Sequence, residues 1–381
     1  MPPKILSISF SPIHADSRVL RQLAVLRDLG EVTTVGYGPS PEGVERHIRV
    51  PDNASSLPQT PLGVARLALR LHHSVELKAP GEKAVRREAV ESGPYDLVVA
   101  NDARALPLAF AVAGGAPVMA DMHEWAPEER ATVPIWRILV GPYMNALCEK
   151  YLPRAAAVTT VSPGLAGLYR ERYGVDPEIV RSAADFQSLS PTRVDPDKIR
   201  LVHSGTADPD RNILELIDAV DLLGDRFTLD LYLLEVPGGH LDVIRRKAAS
   251  VPRVTVHDPV PPRTLPQVLN QFDLGVFLFP LVTLSKLYHL PNKFFDFVQA
   301  RLGLVFSSAP EIDSLVRQYK LGLITSGTTS DALVTALRDI TADQVSQFKI
   351  AADNAARALS SGPDRATQAA LVTRLLADGK H

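Results

Sequence analysis

Apolar positions along the chain switch between short unbroken runs and a spacing of three to four, and this switch predicts the elements. Lys4 to Phe10, KILSISF, is a short and mainly apolar stretch that reads as a buried strand. A polar loop over Ser11 to Asp16 follows. Val19, Leu20, Leu23, Leu26 and Leu29 then recur at helical spacing, with Asp16 or Ser17 as the cap and Gly30 as the stop. Val32 to Val35 makes the next strand. Strand, loop, helix and strand in this order imply a parallel crossover. The loop therefore lies at the carboxyl edge of a sheet, where such folds bind ligands. Asp96 to Ala100, Pro117 to Asp121, Ala156 to Val161 and Glu178 to Val180 read as further strands, and Leu62 to Val90, Leu139 to Tyr151 and Leu165 to Tyr173 as helices.

Gln187 to Lys198, rich in Ser, Pro and Asp, reads as a linker. The pattern then restarts. Arg200 to His203 is a strand, Ser204 to Asp210 a glycine-containing loop, and Asn212 to Leu223 a helix with Ile213, Leu216, Ile217, Val220 and Leu223 on one face. Strands follow at Thr228 to Leu234, Val254 to His257 and Leu274 to Phe279. Helix, Gly303, a strand at Leu304 to Phe306 and a helix after Pro310 complete the unit. The chain thus predicts an α/β protein with domains over residues 1–186 and 187–344, and a helical tail from about 345 to 381 that packs back on the first.

Composition narrows the function. The 381 residues carry a formal charge of −2, which gives no global basic field for nucleic acid. The single cysteine, Cys148, excludes an intramolecular disulfide and fits a reducing compartment. No Cys/His cluster has zinc-ligand spacing, and G-x-G-x-x-G is missing, which argues against a nicotinamide enzyme. The first apolar run is too short for a signal peptide. Leu97 to Ala120 carries Asn101, Asp102 and Arg104, so no transmembrane helix is expected. A soluble cytoplasmic protein is the expectation. The mixed-charge segment from Leu62 to Val90 leaves a peripheral membrane contact open, although a solvated helix face accounts for it as well.

Candidate chemistry clusters after strands. Leu290, Pro291, Asn292 and Lys293 open a helix whose unpaired amides and positive dipole end suit phosphate, and Asp296 stands one turn further on, where it can accept from a diol. Arg211 follows the glycine-containing loop and can neutralise phosphate. His123 follows the strand Pro117 to Asp121 directly, with Glu124 beside it. Asp102 ends the strand before it.

These stretches together resemble retaining GT-B glycosyltransferases of the family 4 type. Pro291, Asn292, Lys293, Phe295, Asp296, Gly303, Pro310 and Glu311 match the family's donor segment, Asp16, Ser17, Arg18 and Val19 its opening loop, and Gly205 with Arg211 its diphosphate loop. Three positions depart: Asp296 stands for the usual Glu, Tyr288 for a second Glu, and Thr206 for a basic residue. The resemblance implies two Rossmann-like domains facing each other across a cleft. It implies transfer of a sugar from a nucleotide diphosphate sugar to a glycan, lipid or small-molecule acceptor, with retention and without metal or bound cofactor. It assigns His123, Arg211 and Asp296 to catalysis. Gly205, Thr206, Asn212, Asp258, Val260, Ser285, Tyr288, Leu290, Pro291, Asn292 and Lys293 fall to the donor, and His14, Asp16, Arg18, Asp102 and Glu124 to the acceptor side. A catalytically silent homologue that binds a nucleotide sugar, a nucleotide-sugar epimerase, and a binding protein without nucleotides are the alternatives.

Overall fold

The computed structural model describes residues 1–379, and they separate into two compact units. The first comprises Met1–Arg181, Thr283–Ser285 and the chain from Asp364 on; the second comprises Ser182–Val282 and Lys286–Pro363.

The first unit holds seven strands: β1 (Lys4–Pro12), β2 (Glu31–Tyr37), β3 (Arg46–Arg49), β4 (Leu97–Asn101), β5 (Val118–Met122), β6 (Ala157–Thr160) and β7 (Glu178–Ile179). They form one parallel sheet in the order β3-β2-β1-β4-β5-β6-β7. The order reverses between β1 and β4, so the ends of these two strands flank a switch point. Helices α1 (Ser17–Leu29), α2 (Pro61–Ala68), α3 (Pro80–Glu91), α4 (Leu106–Val112), α5 (Gly141–Tyr151) and α6 (Pro163–Tyr173) cover it.

Two helical expectations change. Leu62 to Val90 is broken by a single 3-10 turn at His72–Ser74 and by left-handed backbone at Arg70 and Leu77. Pro80 has no amide for a helical ladder, so α3 starts afresh there. The helix ending at Tyr151 begins earlier than its pattern, as a π-turn at Trp136–Val140 that runs into Gly141 and Pro142.

The second unit repeats the plan. Strands β8 (Ile199–Thr206), β9 (Phe227–Leu234), β10 (Val254–His257), β11 (Leu274–Phe277), β12 (Gly303–Ser307) and β13 (Gly322–Thr325) pair in parallel in the order β10-β9-β8-β11-β12-β13. Its helices are α7 (Ile213–Leu223), α8 (Leu241–Ala248), α9 (Leu265–Leu269), α11 (Asn292–Gln299), α12 (Pro310–Tyr319), α13 (Ser330–Leu337) and α14 (Ala342–Ala355), while the short α10 (Leu284–Leu287) is divided, with Leu284 and Ser285 in the first unit. One face of the sheet packs Leu201, Leu229 and Val276 against α7, α8 and α13. The other packs Val202, Phe277 and Phe306 against α11 and α12. Gly275 is required here, because a Cβ would lie 2.3 Å from the Phe297 ring of α11.

Of the tail from 345, α14 lies with the second unit. Helix α15 (Ser361–Asp378) passes into the first, where Leu371, Val372, Leu375 and Leu376 join Ile5, Leu23 and Met119 in one core. Residues 380 and 381 lie outside the described residues. The stretch 187–198 is irregular and is held on the second unit: Arg301 Nη2 donates to the Gln187 carbonyl at 2.7 Å and Lys349 Nζ to Thr192 Oγ1 at 2.8 Å. No helix among the described residues is long and apolar enough to cross a membrane.

Candidate active site

In the first unit the carboxyl edge of β4 and β5 carries a buried ion cluster. The chain leaves β4 at Asp102, whose backbone sits at φ 64 and ψ 165. That region is close to glycine-only and costs a residue with a side chain about 1–3 kcal/mol. Three bonds hold Asp102 there. Its amide donates to the Asp121 carbonyl at 2.9 Å, its Oδ1 accepts from the His123 amide at 3.1 Å, and its Oδ2 accepts from His123 Nδ1 at 3.3 Å. His123 is 4% exposed, and its Nε2 donates to Asp121 Oδ2 at 3.0 Å.

Beneath His123, Asp121 also accepts from Thr159 Oγ1 at 2.6 Å and from Gln22 Nε2 at 2.7 Å. Gln22 Nε2 bonds Asn101 Oδ1 at 2.9 Å, and Asn101 in turn donates to Ser7 and to the Ile8 carbonyl. Each of these polar side chains has a partner, as buried groups require.

Burial alone would push the His123 imidazole down, but Asp121 and Asp102 outweigh it and hold it up at about 10. Burial likewise raises both carboxyls, and the imidazolium overrides it, so both end below the usual carboxylate range. His123 is therefore a cation at neutral pH with both ring nitrogens committed. A ligand would meet Asp102, whose side chain is 31% exposed. Burial pushes Glu124 up to about 7, with Arg18 partly offsetting it. The Glu124 carbonyl accepts from Tyr169 Oη at 2.6 Å. Asp16 is used locally, as its Oδ1 caps α1 through the amides of Arg18 and Val19. His14 is exposed and lies against Gly38.

In the second unit three expected donor residues converge. Gly205 has φ 146, and a Cβ there would stand 2.4 Å from Lys293 Nζ. The ammonium thus lies against bare backbone at the end of β8. Lys293 Nζ sits 5.2 Å from the centroid of the Phe277 ring, and the Arg211 guanidinium carbon 5.6 Å from it. Among the described residues neither cation has an ion-pair partner, and Arg211 Nε is buried without a hydrogen bond. Burial and the neighbouring Arg211 pull Lys293 down to about 8, with Asp296 opposing. Two unneutralised cations over one ring form a seat for an anion. No side chain caps α11, which begins at Asn292 after Pro291.

The remaining donor candidates are placed as follows. Asp296 is half-buried one turn into α11, Leu290 is buried, and Thr206, Tyr288 and Val260 are half-buried. Asn212 is left-handed at φ 50 and starts α7. Asp258 is exposed and pairs with Arg245 at 3.4 Å. Ser285 belongs to the first unit, where its hydroxyl accepts from the Trp125 amide at 2.9 Å and is spent on that contact. Among the described residues no group of three or more His, Cys, Asp or Glu could hold a metal ion.

Comparison with known proteins now bears on this geometry. Residues 26–187 match the family described as Glycosyltransferase Family 4. That part of the chain is therefore similar to family 4 glycosyltransferases. HepE of Anabaena, solved in complex with UDP-glucose, is similar over 98% of this chain and 100% of its own at 17% identity, with a TM-score of 0.68. Sucrose-phosphate synthase of Thermosynechococcus elongatus is similar over 99% of this chain and 100% of its own at 14% identity and a TM-score of 0.69. WaaG, a glycosyltransferase involved in lipopolysaccharide biosynthesis, aligns over 97% of this chain and 99% of its own at 12% identity and a TM-score of 0.66. No curated protein matches the chain in sequence. These structures share the fold of this chain, GT-B with two Rossmann-like domains, and the two parallel sheets described above fit it.

Several participants escape sequence reading. Phe277 looks like an ordinary strand residue, and Gln22 and Thr159 like isolated polar positions. The one available signal is a polar side chain inside an otherwise apolar run, as at Thr159.

Proposed function

We propose that this protein is a glycosyltransferase that moves a sugar from a nucleotide diphosphate sugar to an acceptor with retention of configuration. The observation that carries the reading is the pair Lys293 and Arg211, two cations over one ring with no ion-pair partner among the described residues, the lysine set against the bare backbone of Gly205. Such a pair stabilises a leaving diphosphate as charge builds on it, the role a metal ion plays elsewhere, so we propose that neither metal nor bound cofactor is needed. Asp296, one turn into α11, would accept from the ribose hydroxyls. On the acceptor side, His123 would act by holding Asp102 toward a sugar hydroxyl, with Arg18 and Glu124 beside it.

The test is calorimetric titration of the protein with UDP, GDP, ADP and dTDP. Micromolar binding of at least one is expected, with a loss of about tenfold or more in Asp296→Ala, the worth of a charged hydrogen bond. Wild-type affinity in that variant would remove Asp296 from the ribose, and no binding of any nucleotide by the wild type would remove the donor reading.

A lipid-borne acceptor at a membrane surface is favoured by a separate observation. Leu69, Leu71, Ile135 and Ile138 are exposed by 70%, 51%, 61% and 56%. Arg70 Nη1 donates to the Ile138 carbonyl at 2.9 Å, which joins the two segments, and Arg66 and Arg137 flank them. Apolar side chains rimmed by arginine suit an anionic bilayer. Beside them opens a cavity of about 500 Å³ lined by His72, Glu128, Arg137 and Asn145. In vesicle flotation the protein should rise with phosphatidylglycerol vesicles and not with phosphatidylcholine ones, and Ile138→Asp should abolish this. Equal behaviour of the variant would dismiss the membrane contact.

A further inference from the structure

Among the described residues β8 and β11 pair only at Leu201 and Val202, opposite Leu274 and Gly275. Beyond them both strands run on, β8 along β9 and β11 along β12. The sheet order reverses between β8 and β11, so the two strands part at the switch point of the second unit. His203 stands where they part. It is fully buried, and its Nδ1 donates to the Val276 carbonyl at 2.9 Å, a side-chain bond where the ladder has stopped. Its ring stacks on Phe277 at 5.7 Å with 23° between the planes. Phe277 is the same ring that carries Lys293 and Arg211.

This arrangement leaves one polar atom without a task. A carbonyl can only accept, so Nδ1 carries the ring proton and Nε2 is an acceptor. Among the described residues His203 Nε2 is buried with no hydrogen-bond partner. Burial first, and then Lys293 and Arg211, pull the imidazole down to about 3 against the opposing Val276 bond, so the ring is neutral and its lone pair persists. A buried acceptor left unmet is rare and costly. Phenylalanine would fill the same place against Phe277 without that cost. Lys293 presses on His203 harder than Arg211 does. Its ammonium carries three N–H groups on a flexible stem, and it lies against Gly205, two residues further along β8.

We propose that His203 is a positioning residue for the phosphate seat: in the loaded protein its Nε2 accepts one N–H of the Lys293 ammonium and so aims the other two at the diphosphate. The inference rests on the nucleotide diphosphate reading above and adds to it a residue that touches no part of the donor. The choice of imidazole has a physical reason. A carboxylate in this place would orient the lysine but cancel the charge that the diphosphate requires. A ring held neutral orients the ammonium and leaves its charge intact.

The experiment is a double-mutant cycle read by calorimetric titration of UDP, GDP, ADP and dTDP. His203→Phe should weaken the tightest of them by about tenfold, the worth of one hydrogen bond. His203→Gln, whose amide oxygen can stand in the place of Nε2, should restore most of the loss. His203→Asn can keep the Val276 bond but is too short to reach the lysine, so it should lose as much affinity as His203→Phe with less harm to the fold. In a Lys293→Ala background His203→Phe should change the affinity by less than about twofold, since its effect passes through the lysine. A merely structural role would lower the affinity by one factor in both backgrounds and would be met by Asn as well as by Gln. Thermal unfolding verifies that each variant is folded, and His203→Asn carries the test if His203→Phe is not. Wild-type affinity in His203→Asn, or an equal loss with and without Lys293, would overturn this inference while leaving the donor reading intact. No nucleotide binding by the wild type would overturn both.

Discussion

Lys293→Ala is expected to lower the affinity for a nucleoside diphosphate by about one to two decades, since a charge-assisted hydrogen bond contributes about 1.5–3 kcal/mol. The same change should leave the unfolding midpoint unaltered or raise it slightly. The reason is that Lys293 and Arg211 repel each other over Phe277 with no carboxylate paired to either among the described residues. A side chain that weakens the free protein and strengthens the complex is serving a ligand. The pH dependence follows with a definite sign. Burial and Arg211 hold the Lys293 ammonium down at about 8 from 10.5. In the free protein the charge is present below pH 8 and is lost above it, so affinity should fall as pH rises through about 8. The penalty of keeping that charge unpaired fades over the same range, so this group's effect on stability runs the other way. Gly205→Ala approaches the same seat from the opposite side. Its Cβ would occupy space 2.4 Å from Nζ at a backbone φ of 146. The flexible lysine tip can yield, so the loss should appear in affinity more than in folding. Titrations of UDP and GDP between pH 6 and 10 measure all of this. Unchanged affinity in Lys293→Ala at neutral pH would remove the seat from the mechanism.

Asp121→Asn should destabilise the protein by about 3–5 kcal/mol, the cost of breaking a buried ion pair by removing one partner. For a unit of this size that corresponds to a midpoint lower by about 6–20 °C. Asparagine keeps the shape but supplies no charge for His123, and its amide offers Gln22 and Thr159 only one accepting oxygen. In the wild type the imidazole is raised from 6.5 to about 10. Its contribution to stability is therefore complete below about pH 6.5 and is lost progressively as pH climbs toward 10. Asp102 and Asp121 are depressed, so theirs is complete above the ordinary carboxylate range and is lost on acidification. The cluster accordingly favours mildly acidic conditions. Midpoints measured from pH 5 to 10 should decline on the alkaline side in the wild type and much less in the variant. A decline of equal slope in both would show that His123 is not the group responsible. Sugar transfer should fall in Asp121→Asn while nucleotide affinity persists, because the phosphate seat is built in the second unit.

Much of the architecture was legible in the residues. Apolar runs of strand length separated by helical spacing specify parallel crossovers, and the restart at Arg200 to His203 specifies a second sheet. Helices failed where proline or left-handed backbone intervened, as at Pro80, Arg70 and Leu77, because periodicity registers which side chains are apolar and not where the main chain can continue. The site was legible to the extent that strand ends were. Arg211, Lys293 and His123 each follow or begin an element at a predicted position, whereas Gly205, expected in a loop, lies among the last paired residues of β8. Their partners were not, since Phe277, Gln22 and Thr159 come from elements distant in sequence.

By itself, then, the sequence determined two parallel α/β sheets, the loops at their carboxyl edges and the residue types those loops present, because periodicity, caps and glycine act locally. Only the tertiary structure decided that Lys293 and Arg211 share one aromatic face and that His123 is clamped as a cation between two carboxylates. Each is a matter of a few ångströms between residues on different strands and helices, and such distances exist only once the sheets are assembled.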